Sequence, residues 1–169
     1  MDACAHLDLA APLFALGHLS EAEDAARKAA SLKEDFSQAW VSLATIQAAR
    51  GQTGSPLRSI LKATRIEPEN IQYRIRLGEI LLDQGHTDHS IKTFNLLLKD
   101  HPAHIDALGG LAHALERKGE ITKAFETLSP HIETVKVHAR MGTVTSIASC
   151  ASSWMIAFNT RLALVILLI

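Results

Sequence analysis

The chain has 169 residues, 47% apolar, 21% charged and 5% aromatic, with a formal net charge of -1. That balance excludes a general electrostatic role on nucleic acid, which needs a basic surface, and the apolar fraction excludes a disordered chain. The two cysteines, Cys4 and Cys150, lie far apart in sequence and give neither a zinc spacing nor a disulfide framework, so a reducing compartment is the default.

The chain opens with "MDACAHLDLAAPLFALG", which has no Lys or Arg where a secretory signal carries positive charge. The segment therefore reads as the first helix of a cytoplasmic protein. Pro12 stands inside that helix, where a proline loses a hydrogen bond and costs about 3 kcal/mol. His6 occupies the place held by Trp40 one unit later. The expectation is a frayed or kinked first unit, with residues 1–12 outside the helix.

Glycine then recurs at a fixed interval: Gly17, Gly51, Gly85 and Gly119 are each 34 residues from the next. A period of that length marks a repeated pair of helices. In the second unit Ser55 is expected to cap a helix whose first residue is Pro56, so that helix starts late. In the third, "NIQYRIRLGEILLDQG" places Ile71, Ile75, Leu77, Gly78, Leu81 and Leu82 on one apolar face. Gly85 ends that helix in a left-handed conformation. Thr87 or Asp88 then caps a second helix carrying Ile91, Phe94, Leu97 and Leu98. In the fourth unit the pair Gly109-Gly110 reads as close packing rather than a phosphate loop. Pro130 is expected to break the last helix near Leu128.

Further columns share the period. Leu9, Leu43, Leu77 and Leu111 coincide, each followed by a small residue: Ala10, Ala44, Gly78 and Ala112. Small residues there allow the two helices of a hairpin to approach closely. Ala26, Ile60, Phe94 and Leu128 form an apolar column, and Pro68 and Pro102 punctuate unit ends. The pattern Trp40…Leu43-Ala44…Gly51…Ile60…Ala63…Pro68 resembles the tetratricopeptide repeat (TPR). So does "QYRIRLGEILLDQGHTDHSIKTFNLLLKDHP". The resemblance covers about 3–138, as units 3–36, 37–70, 71–104 and 105–138, the first and last degenerate, in an array spanning 1–138. It implies an all-α, right-handed superhelical solenoid of antiparallel hairpins that binds a peptide or protein and catalyses nothing. A looser likeness joins "ALGGLAHALERKGEITKAFETLSPHIE" to repeats that precede sulfotransferase or glycosyltransferase domains. It keeps open a second reading, the recruiting part of a transferase.

In such an array the first helix of each unit lines the concave face. By register the partner-binding candidates are Gln38, Val41 and Thr45, then Gln72, Ile75, Glu79 and Asp83, then Asp106, His113, Glu116 and Arg117. This face lacks the Lys and Asn set with which some TPR adaptors hold a peptide carboxylate, so that clamp is not expected. Trp40 fills a repeat-core slot and is expected to pack rather than bind. The pairs His86/His89 and His101/His104 bring no clear third ligand and read as surface histidines. No nucleotide-binding or nucleophile motif occurs, so neither a cofactor nor a metal is expected.

After residue 138 the pattern stops. Residues 139–169 form an apolar tail ending "LALVILLI", and Ile147–Ile169 is 23 residues long, enough to cross a bilayer. Asn159 and Arg161 oppose insertion, since an arginine near mid-span costs about 2.5–3.5 kcal/mol. Three readings stay open: a tail-anchored membrane adaptor, a capping helix on the last hairpin, and a non-native continuation. The sequence does not define the oligomeric state.

Overall fold

The computed structural model describes residues 2–131. Among them are eight α-helices, a terminal 3-10 turn and no strand. The tail readings fall outside the described residues. None of the described helices is long and apolar enough to cross a membrane.

The helices are α1 (Ala3–Ala15), α2 (Leu19–Leu32), α3 (Ser37–Ala49), α4 (Ser55–Ile66), α5 (Ile71–Asp83), α6 (Thr87–Asp100), α7 (Ile105–Lys118) and α8 (Ile121–Leu128). The odd-numbered helices therefore start 34 residues apart. Each is followed by the same turn. At Gly85 the backbone turns left-handed, with φ +81°. The Gly85 N–H donates to the Leu82 carbonyl at 3.0 Å, and the His86 N–H reaches back to Leu81 at 2.8 Å. These two bonds satisfy carbonyls that a helix end leaves open. Gly17, Gly51 and Gly119 make the same pair of bonds. The glycine period is thus a period of helix stops.

Three local expectations are corrected. First, α1 is helical from Ala3, with the Asp2 carboxylate accepting from the Ala5 N–H at 2.9 Å. Pro12 sits in the last turn, where the bond it forfeits belongs to the carbonyl of Asp8. Asp8 is on the exposed side, where water can satisfy that carbonyl. The Pro12 carbonyl still accepts from Leu16 at 3.0 Å. Second, Gly54, with φ +81°, holds the cap position of α4; Ser55 is already helical and Pro56 is fully buried. The late start is as expected. Third, α6 begins at Thr87, and the His86 carbonyl accepts from Ser90 at 3.0 Å. His86, not Thr87 or Asp88, stands at that cap. At the far end α8 stops at Leu128, two residues before Pro130, as its ring requires.

The described residues divide into two compact units, 2–93 and 94–131. In the first, α1 pairs with α2 and α3 with α4, α2 lies against α3, and α4 against α5. Alanines allow this closeness. Ala22, Ala25, Ala26, Ala29 and Ala30 are all buried on α2, a spacing that repeats each turn. Ala10, Ala22, Ala25, Ala26, Leu43 and Ile46 form one core, and Ala44, Ile60, Ala63, Tyr73 and Ile80 another. Trp40 packs against both and against a third group of Ala29, Ala30 and Ala39. At Gly78 the small column permits a direct bond between helices: Ser90 Oγ donates to the Gly78 carbonyl at 2.8 Å.

In the second unit, Phe94 and Leu97 of α6 are fully buried. Helix α7 packs on α8 and buries an almost continuous run, from Ala107 through Ala112. Gly110 lies under the Phe94 ring, which is the close packing expected of the Gly109-Gly110 pair.

Candidate functional site: the first-helix face

In the first unit α3 and α5 are joined side chain to side chain. The Tyr73 hydroxyl donates to Gln38 Oε1 at 3.2 Å and lies 3.2 Å from the Ser37 hydroxyl. Ser37 also donates to the Glu67 carboxylate, which accepts a second bond from Asn70 Nδ2 at 2.9 Å. These two bonds hold the Glu67 carboxyl below the usual carboxylate range. One turn further along, Arg76 Nε donates to Thr45 Oγ1 at 3.3 Å and Arg76 Nη1 pairs with Glu79 at 2.9 Å. Thr45 in turn donates to the Val41 carbonyl at 3.0 Å.

Of the candidates, Gln38 is tied to α5 through Tyr73, and Thr45 and Glu79 are joined to each other through Arg76. Gln72 and Asp83 are exposed, and Val41 is half-buried against the second core. Ile75 is buried, at 5% exposure, so it offers no surface to a partner. It belongs to the apolar side of α5. In the second unit Asp106, His113 and Glu116 are half-buried on α7 and Arg117 is exposed. Sequence reading missed Arg76 and Tyr73. Arg76 had a signal: Gln72, Arg76, Glu79 and Asp83 follow a four-three-four spacing, one stripe of a helix.

The bonds that join α3 and α5 here are hydrogen bonds, and Arg76 and Glu79 form a half-exposed ion pair. Among the described residues no group of three His, Cys, Asp or Glu side chains converges as a metal site would require. His86 and His89 meet each other instead, edge to face, with ring centroids 6.3 Å apart.

A buried charge fixes the hairpin that carries the face. Glu23 of α2 is 1% exposed. It accepts from Arg27 and Arg50, from Gln52 Nε2 at 2.8 Å and from Gln47 Nε2 at 3.4 Å. Burial alone would raise its pKa; the bonds from Arg50, Gln47 and Gln52 and the Arg50 charge bring it below the ordinary value. Arg50 and Gln52 flank Gly51, so Glu23 ties α2 to the turn between α3 and α4.

The tandem hairpins with their glycine stops decide the fold. The chain has the tetratricopeptide-repeat fold. No protein-family model matches it, and no curated protein is significantly similar in sequence. Solved structures are similar in fold. MamA superposes with a TM-score of 0.71 at 17% identity, over 82% of this chain and 81% of that one. The first TPR of Spaghetti (RPAP3), bound to the HSP90 peptide SRMEEVD, gives 0.64 at 14%, over 70% and 94%. The Thermobaculum terrenum O-GlcNAc transferase (K341M mutant) gives 0.59 at 24%, over 67% of this TPR chain but 22% of its own length.

Proposed function

We propose that this chain is a non-catalytic interaction module that holds a peptide or protein on its first-helix face. The observation that carries this is the pair of links Gln38–Tyr73 and Thr45–Arg76–Glu79 between α3 and α5. These side chains are already fixed across two helices, so a partner meets preformed donors and acceptors and the ordering cost of binding is reduced. The peptide-bound RPAP3 repeat supports the reading by fold.

A photo-cross-linking residue placed at Gln38 or Gln72 tests it, against controls at Lys28 and Arg58 on second helices. The expected result is a partner captured from the first two positions, lost with Arg76→Glu, and not captured from the controls. Equal capture from both sets would overturn it. The second reading, a recruiting segment for a transferase, draws on the O-GlcNAc transferase likeness. It requires a catalytic polypeptide among the captured partners.

A further inference from the structure

The outer faces of the helices differ in charge, and α4 stands apart. Arg58, Lys62 and Arg65 are its only charged residues. Among the described helices it alone carries cations and no acid. All three are exposed and follow a four-three spacing. They form one stripe on the side of α4 opposite the buried Pro56, Ser59, Ile60 and Ala63.

Several cations elsewhere are matched. Arg27 and Arg50 meet Glu23, Arg76 meets Glu79, and Lys118 and Lys123 meet Glu120. Among the described residues Arg58 and Arg65 meet no carboxylate, and Lys62 lies over the Trp40 ring. The repeat does not call for this arrangement, since Arg58 and Arg65 stand where the preceding unit has Asp24 and Ser31. It also works against the helix. Like charges three and four residues apart repel. The Arg58 N–H donates to the Gly54 carbonyl at 3.3 Å, so Arg58 lies in the first turn, where the helix dipole disfavours a cation. An anion laid along the stripe would relieve both.

The surroundings of the stripe select its occupant. From Arg58 to Arg65 is about 10 Å of helix. Glu67 and Glu69, both exposed, follow directly, and the chain as a whole carries -1. A bilayer or a nucleic acid spreads its charge more widely and would meet those carboxylates too. The apolar side of α4 is packed within the array against α3, so it is not free to enter lipid as an interfacial helix does. A short peptide fits between these limits. Guanidinium forks match carboxylates with two bonds at a time. Leu61, 37% exposed within the stripe, adds an apolar contact.

We infer that the outer face of α4 docks a short acidic peptide segment of a partner protein. Its carboxylates lie on Arg58, Lys62 and Arg65, and an apolar side chain among them lies on Leu61. This surface is separate from the first-helix face, and its occupant is told from that face's partner by its indifference to Arg76.

The test uses the full chain and a fluorescent alanine-based peptide with glutamates at a four-three-four spacing and one leucine between them. Fluorescence polarisation is expected to show micromolar binding at low salt that weakens as salt screens the charges. Arg58→Glu with Arg65→Glu should weaken it at least about tenfold, because like charges then face each other. Lys33→Glu with Lys99→Glu reverses as much charge away from the stripe and should leave it nearly unchanged. All four side chains are exposed, and circular dichroism checks the fold of each variant. No binding at millimolar chain would overturn the inference. So would equal binding of the same peptide with glutamines for glutamates, or an equal loss in the Lys33 and Lys99 variant, which would assign the effect to net charge. Binding that falls with Arg76→Glu would move the peptide to the first-helix face. Pelleting with phosphatidylserine vesicles that is lost in the Arg58 and Arg65 variant would give the stripe to a bilayer instead.

Discussion

The Phe94 ring presses on Gly110 so closely that a Cβ added to the glycine would clash with Cζ and Cε1 of the ring. Phe94 is fully buried, so its ring has little room to move aside. Gly110→Ala should therefore destabilise the second unit by about 1–3 kcal/mol through overpacking. Helix propensity alone would favour alanine by about 1 kcal/mol. A urea midpoint that rises instead would show that the ring moves aside.

Glu23 carries a pH dependence. Its carboxyl sits below the ordinary value in the folded chain. The stability it contributes is therefore complete above the unfolded pKa, about 4.3, and is lost as pH falls through the folded value. Glu23→Gln removes the charge and should flatten the acid limb of a plot of melting temperature against pH. At neutral pH Glu23→Ala should cost about 2–3 kcal/mol, since it removes charge-assisted bonds and strands Gln47 and Arg50. Parallel acid limbs for the wild type and Glu23→Gln would refute this account.

The turns and the close helix contacts were legible because each rests on a residue with one physical property: glycine tolerates positive φ, and small residues permit approach. Glu23 was legible only in part. It stands in a column otherwise filled by Leu57, Ile91 and Phe125, and a charge in an apolar column signals a buried partner. Arg27, one turn along α2, is a local partner; the others lie beyond the next turn, at Gln47, Arg50 and Gln52, and nothing local names them. Pro12 misled because its cost depends on which carbonyl it orphans, and an exposed Asp8 makes that cost small. Ile75 misled because one helix residue can be assigned to two neighbouring stripes until packing decides between them.

Gly78 tests the small-residue column directly. It is buried, and its carbonyl accepts from Ser90 Oγ. A bulky side chain would separate α5 from the start of α6 and break that bond. Gly78→Leu should cost at least about 3 kcal/mol, overpacking together with a lost hydrogen bond. Ser90→Ala should cost about 1 kcal/mol, because it leaves a buried carbonyl short of one partner. An unchanged thermal melt for Gly78→Leu would disprove the register on which the columns rest.

Trp40 was expected to pack, and it packs against three separate groups of core residues. It is not fully enclosed: Nε1 donates to the Glu34 carbonyl at 2.9 Å, and Lys62 Nζ lies 4.0 Å above the ring. The ring thus links α1, α2, α3 and α4, and one polar bond fixes its orientation. Trp40→Ala should cost about 3–5 kcal/mol, the usual loss for a large aromatic in a core. Trp40→Phe keeps most of the contact and loses the Glu34 bond, so about 1 kcal/mol is expected. Lys62→Gln should cost about 0.5–1 kcal/mol, a cation–π contact at a partly exposed site. Urea unfolding of the three variants measures the series. If Trp40→Phe proved as damaging as Trp40→Ala, the hydrogen bond rather than the packing would hold the hairpins together.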